Sequence, residues 1–169
     1  MIGDRWGVTD DEVAQSFPCD AWITRPSLVA WRAVTIHAPA VDVWPWVSQV
    51  RLAPYSYDWL DNGGRRSPQA IVDLPPPAVG EPFTRAAGKH LGRILSVDPP
   101  HELTGAIAGT VISYVLEQRP DERTTRLLMK IVSGLPRPLA PVLSVGDLLM
   151  ARRQLLNWKR LAELNRFAA

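Results

Sequence analysis

From Leu28 to His37 the chain reads LVAWRAVTIH, a run of β-branched and aromatic residues with the pattern of a strand. Its alternation sets Arg32, Val34 and Ile36 on one face and Trp31, Ala33 and Thr35 on the other. Residues 1–27 alternate poorly and hold Pro18 and Pro26, so they are expected as an arm laid on the domain, with Trp6, Phe17 and Trp22 as anchors. After the strand, Pro39 takes a first helical position with Asp42 in the first turn. Val43, Trp46, Val47 and Val50 then share a side, which predicts a helix over 39–50, kinked or delayed by Pro45. Residues 54–60, PYSYDWL, predict a second short helix that ends at Asn62-Gly63-Gly64.

The middle of the chain is cut by Leu74-Pro75-Pro76-Pro77, Gly80-Glu81-Pro82, Asp98-Pro99-Pro100 and Pro120-Asp121-Glu122. Between these turns, residues 69–73, 83–87, 91–97, 102–108, 111–118 and 124–132 read as strands of an antiparallel meander. Residues 134–141 carry three prolines and read as a connector. Ser144 and Asp147 form a capping box that opens a last helix over 145–166, roughly 33 Å long. Leu148, Ala151, Leu155, Trp158 and Ala162 make its apolar stripe, flanked by Leu149, Leu156 and Leu161.

The order is therefore strand, two short helices, six strands, long helix. A single sheet must cover its apolar face, and a long helix laid across it does so. This predicts an α+β helix-grip fold: a curved antiparallel sheet of about seven strands wrapped around the C-terminal helix. Residues 28–169 form one domain behind the arm. A chain of 169 residues holds one such core and needs no disulfide or metal to fold. With 46% hydrophobic and 21% charged residues it is neither disordered nor fibrous.

Charge and chemistry narrow the classes further. A net charge of +2, scattered along the chain, gives no footprint for nucleic acid. No apolar run reaches the length of a membrane span, and the acidic first residues are no signal peptide, so a cytoplasmic setting is expected. Cys19 is the one cysteine and is read as a small buried or half-buried residue rather than a catalytic thiol. His37, His90 and His101 lack ligand spacing, and no P-loop, GxGxxG, HExxH, GxSxG or EF-hand pattern occurs; no metal and no cofactor is expected.

Residues 36–62 carry IHAPAVDVWPWVSQV followed by YSYDWLDN. Together with Val79-Gly80-Glu81, LSVDPP at 95–100, Thr125-Arg126-Leu127 and MARRQL at 150–155, this resembles the bacterial VWPW…YSYDW-type members of the SRPBCC superfamily, which groups START, polyketide cyclase and Bet v 1-like proteins. The resemblance spans about residues 28–166. It implies a Bet v 1-like helix-grip fold with a cavity for sterols, lipids, polyketides, hormones or quinones between sheet and helix. It does not carry a reaction across, because fold and function separate readily.

Strand parity, anchored on Val34 and Ile36, turns inward Arg32; Arg93, Leu95 and Val97; Ile112, Tyr114 and Leu116; and Leu127, Met129 and Ile131, with Arg126 and Lys130 outward. An inward arginine pairs with an internal carboxylate such as Asp58 or Glu102, receives a ligand carboxylate or phenolate, or reaches to the rim. Arg152 is a further candidate on the long helix. Tyr55 and Trp59, four apart, share a helical face as core anchors, while Tyr57 points elsewhere and offers its hydroxyl to the cavity. The candidate ligand-binding set is Arg32, Tyr57, Trp59, Arg93, Leu95, Tyr114, Leu116, Met129, Ile131, Arg152 and Leu155; no catalytic residue emerges. Binding of an apolar or amphipathic small molecule, as a monomer or homodimer, is the leading expectation. A polyketide cyclase or dehydratase, which needs an acid/base pair deep in the pocket, and an interaction module with a collapsed cavity are the alternatives.

Overall fold

The computed structural model describes residues 3–121, 123–135 and 140–166, the side chains of 61, 140–148 and 166 apart. A short strand β1 (Arg5–Trp6) precedes helix α1 (Asp10–Ala14) and a tight turn over Pro18–Ala21. Strand β2 (Leu28–Ile36) leads into helix α2 (Ala40–Ser48) and a short helix α3 (Asp58–Asp61). Then come β3 (Thr84–Ala86), β4 (Lys89–Leu91), β5 (Arg93–Asp98), β6 (Glu102–Ile107), β7 (Thr110–Gln118), β8 (Thr125–Ser133) and the long helix α4 (Ala140–Arg166). Six strands form one sheet in the order β1-β2-β8-β7-β6-β5, parallel between β1 and β2 and antiparallel elsewhere, while β3 and β4 make a separate hairpin. This is the α+β helix-grip architecture, with α2 and α3 between the first long strand and the next.

Several boundaries differ from the sequence pattern for local reasons. Residues 69–73 form no strand: the run enters three prolines, which donate no ladder bonds. The Gln49 side chain stands in for a neighbouring strand, accepting from Val72 N (2.5 Å) and donating to Ala70 O (3.4 Å). Helix α4 has 27 residues, about 40 Å, and begins at Ala140 rather than Val145. Pro141 sits in its first turn, where amide hydrogens are unpaired in any case. Ser144 is therefore helical, and the side chains of the capping box expected there lie outside the described ones. The predicted helix over 54–60 shrinks to four residues, because Tyr55 adopts a left-handed backbone (φ 58). The periodicity that paired Tyr55 with Trp59 is thus broken. Tyr55 is buried in the core, whereas Trp59 is 74% exposed.

The sheet is buried on both faces. On the α4 side, Val34, Ile36, Ile94, Leu103, Tyr114, Leu116, Leu127, Met129 and Ile131 pack with α2 and with Ala151, Leu155, Trp158, Leu161 and Ala162 of α4. The other face carries a second core of Ala33, Leu95, Val111, Leu128 and Val132, closed by Phe17 and Cys19 of the arm. Arg126 and Lys130 point to that face as the parity predicts, yet both are buried beneath the arm. Arg126 Nε lies 2.7 Å from Glu12 Oε1 and its Nη2 2.8 Å from Oε2. Lys130 Nζ pairs with Asp20 at 2.7 Å. Glu12 itself closes the capping box of α1 on Thr9.

A bulge in β5 overturns the expected facing of Arg93 and Leu95. Ile94 pairs with Gly105 and Ser96 with Thr104, so two residues of β5 stand against one step of β6. Parity therefore flips: Ile94 and Val97 pack on the α4 side, and Leu95 joins the core under the arm.

Cys19 lies fully buried in that outer core, its amide donating to Ser113 Oγ (2.9 Å). Burial pushes the thiol up to about 11. Since only the thiolate attacks disulfides, the folded protein at pH 8 should react very slowly with an aromatic disulfide reagent and fast once unfolded in urea. Equal rates in the two states would contradict this burial.

Candidate ligand-binding cavity

A file of aromatic rings crosses the space between sheet and helix. Phe83 stacks on Tyr114 (centroids 6.3 Å, planes 24° apart), and Tyr114 meets Trp158 edge-on (5.2 Å, 76°). Trp158 in turn leans on Tyr55 (6.0 Å, 49°). The rings consume much of the interior that a bare sheet and helix would enclose. At the Phe83–Tyr114 end a cavity of about 250 Å³ remains.

Each wall has an identifiable origin. The sheet supplies Ile107, Ile112, Tyr114 and Met129; α4 supplies Met150, Ala151 and Gln154; the segment after α2 supplies Val50, Pro54 and Ser56. Phe83 and the β3–β4 hairpin, through Thr84, Ala86 and Leu91, close the remaining side. Phe83 fits because Gly105 has no side chain: a Cβ there would lie 2.0 Å from the ring. The hairpin is fastened by Thr84 Oγ1 donating to Val50 O (2.8 Å) and Ala87 N donating to Asn62 Oδ1 (3.2 Å). Half-buried Ala86, Ile107 and Met150 and the exposed Leu91 mark the rim.

The polar groups of the cavity serve its walls. Tyr114 Oη donates to Gln154 Oε1 (2.8 Å), and Gln154 Nε2 donates to Pro54 O (2.6 Å). One turn further along α4, Asn157 Nδ2 donates to Tyr55 O (2.7 Å), so two amides pin the loop that carries Ser56. Tyr55 Oη accepts from Gln49 Nε2 (2.7 Å), and burial holds its phenol well above the ordinary tyrosine range. Among the described residues, the lining contains no Asp, Glu, His, Cys, Lys or Arg. These residues offer apolar contact and four hydrogen-bonding side chains, Ser56, Thr84, Tyr114 and Gln154, and no group that exchanges protons near neutrality.

Of the residues expected to bind ligand, Tyr114 and Met129 reach this cavity. Leu116, Ile131 and Leu155 lie in the same core but are packed to closure. Arg32 is fully buried, with Nη1 donating to Asp4 O (2.7 Å) and Trp31 O (2.8 Å) where the arm meets β2. The carboxylates proposed for it are engaged elsewhere: Asp58 accepts from Ser67, and Glu102 from Ser96 and Thr104. Arg93 lies on the opposite face of the sheet from the cavity, beside a hollow with Trp22 and Leu95. Arg152 is exposed and lies over the Trp6 ring at 5.4 Å. Tyr57 and Trp59 line a different hollow of about 500 Å³, outside the Pro54–Tyr57 loop, together with Ser56, Asp58, Arg66, Gln69, Arg153, Asn157 and Arg160.

Sequence reasoning missed Phe83, Thr84, Ala86, Met150 and Gln154. The first three lie in the run 83–87, which reads as a strand but is too short and too close to Pro82 for its parity to be set. Gln154 did leave a signal, as a lone amide next to Leu155 in the apolar stripe of α4.

The three-dimensional likeness to known proteins agrees with this architecture. Protein MLL2253 from Mesorhizobium loti superposes with a TM-score of 0.54 at 20% identity, over 82% of this chain and 97% of that one. A Rhodobacter sphaeroides protein gives 0.54 at 16% identity, over 85% and 95%. Ms6760 from Mycobacterium smegmatis gives 0.52 at 16%, over 80% and 90%. The likeness is one of fold. No protein-family description and no curated protein matches the chain. Among the described residues no helix is long and apolar enough to cross a membrane, and no cluster of three or more His, Cys, Asp or Glu could hold a metal.

Proposed function

We propose that this protein belongs to the SRPBCC superfamily and binds a small apolar or amphipathic molecule between sheet and helix, to carry, sequester or sense it rather than to transform it. One observation carries the reading: the cavity beside Tyr114 is open space walled mainly by apolar side chains, with no acid/base pair among the described residues of its lining. A cyclase or dehydratase needs such a pair, and Tyr114 with Gln154 does not supply one. The volume narrows the ligand. Drug-sized sites span roughly 300–1,000 Å³, and a cavity of about 150 Å³ holds one benzene. At about 250 Å³ the space favours one or two rings, or a short acyl chain, over a sterol. A cytoplasmic setting, in keeping with the single buried thiol, is part of this reading.

The test is purification without added ligand, comparison of native and denatured masses, and a thermal-shift screen of one- and two-ring aromatics and medium-chain acyl compounds. A ligand at 100 times its Kd should stabilise the fold by about 2.7 kcal/mol, raising Tm by roughly 5–10 °C. A co-purified molecule converted to product on incubation would move the reading to an enzyme. An empty protein with no shift across the screen would favour an interaction module.

A further inference from the structure

The interior cavity and the outer hollow have one residue in common. Ser56 lines both, at the crest of the loop that Gln154 and Asn157 hold against α4. The two hollows differ sharply in character. The inner one is mainly apolar, while the outer one carries Arg66, Arg153 and Arg160 against, among the described residues, a single carboxylate, Asp58. Both oxygens of that carboxylate are taken by Ser67, through its hydroxyl (2.5 Å) and its amide (2.9 Å). Arg160 donates to Gln69 Oε1 (2.7 Å), and Arg153 lies over the Tyr57 ring at 5.9 Å. Neither Arg66 nor Arg153 makes an ion pair among the described residues. Trp59, largely exposed, stands beside them.

Two guanidinium groups with no carboxylate partner among the described residues, in a hollow that adjoins an apolar cavity, match a ligand with a charged end. Resting on the binding reading above, we propose that the ligand is an anionic amphiphile. Its ring or acyl body fills the inner cavity. Its carboxylate, sulfonate or phosphate oxygens pass over Ser56 onto Arg66 and Arg153, beside Trp59. This assigns the head-group end to arginines that strand parity did not single out.

A matched pair of fluorescent probes separates the two halves. 5-Aminonaphthalene-1-sulfonate and 1-naphthylamine share a two-ring body and differ by the sulfonate. Both should brighten with the wild-type protein. Arg66→Ala/Arg153→Ala should weaken the sulfonate by about tenfold and leave the neutral amine within about twofold. Added salt should weaken only the sulfonate. Ala86→Trp, at the cavity rim and checked for an unchanged melting temperature, should abolish both. Loss of the sulfonate's dependence on the arginines, with the amine still bound, would overturn the anionic head group and leave the cavity reading standing. Failure of the amine to bind would sink the cavity reading and this inference with it. Sulfonate binding that ignores Ala86→Trp would make the outer hollow a site of its own and overturn the amphiphile. So would inorganic phosphate competing as strongly as the sulfonate, or phosphatidylglycerol vesicles binding where neither probe does.

Discussion

Replacing Glu12 by alanine should destabilise the protein by about 3 kcal/mol, because it strands a buried guanidinium. The side chains of Glu12 and Arg126 are only 7% and 10% exposed, and the pair is two-pronged. Arg126 also donates to Thr35 Oγ1 (3.1 Å) and Gly7 O, so its head cannot swing to water without releasing the arm. The same pair sets a pH dependence. The hydrogen bonds from Arg126 hold the Glu12 carboxyl below its ordinary value of 4.5, against the opposing effect of burial. A depressed carboxyl pKa contributes stability that is complete above the unfolded value and lost as pH falls through the folded one. Urea unfolding of the wild type should therefore weaken as pH drops below about 4.5, and Glu12→Gln should flatten that part of the profile. A Glu12→Ala protein as stable as the wild type at pH 7 would mean that the arm contributes nothing to the fold.

Phe83→Ala should remove about 3 kcal/mol, the usual result of emptying a buried aromatic site, and enlarge the cavity by the space of a benzyl group. Gly105→Ala acts in the opposite sense, since its Cβ would meet the Phe83 ring at 2.0 Å. Overpacking of this kind destabilises by about 1–3 kcal/mol. The two changes are not independent: on the Phe83→Ala background the Gly105→Ala penalty should vanish, giving a coupling of similar size. Thermal or urea unfolding of the four proteins measures it. Additive effects would show that the ring does not lie against β6. On the binding reading, Phe83→Ala should also admit larger apolar ligands, the reverse of what a collapsed interior would show.

The long-range order of the fold was legible because each piece carries its own period. LVAWRAVTIH reads as a strand alone, and Ala151, Leu155, Trp158 and Ala162 read as one helical stripe. On β7 and β8, strict alternation was enough to find Tyr114 and Met129 in the cavity wall. Parity failed where the backbone broke step. One inserted residue at Leu95 turned Arg93 away from the interior, and the left-handed turn at Tyr55 sent Tyr57 and Trp59 to the outer hollow. The arm itself was legible, but the ion pair beneath it was hidden for another reason. A basic residue on the outer face of a strand looks solvated until its partner arrives from a distant segment, and Glu12 lies 114 residues from Arg126. Arg66 and Arg153 come together across a similar gap, so no local pattern could have joined them.

The arm has a consequence for assembly as well as for stability. Strand β2 borders the sheet, and an open border invites a strand from a second molecule. Residues 4–7 occupy it: Trp31 N donates to Asp4 O (2.7 Å), and Gly7 approaches so closely that a Cβ would stand 2.3 Å from Ala33 O. Lys159 Nζ takes Thr35 O (2.7 Å) beyond them. At the far border, Gly80 and Glu81 bond both main-chain groups of Ile94. A chain begun at residue 28 would therefore expose the β2 border and its apolar outer face to self-association.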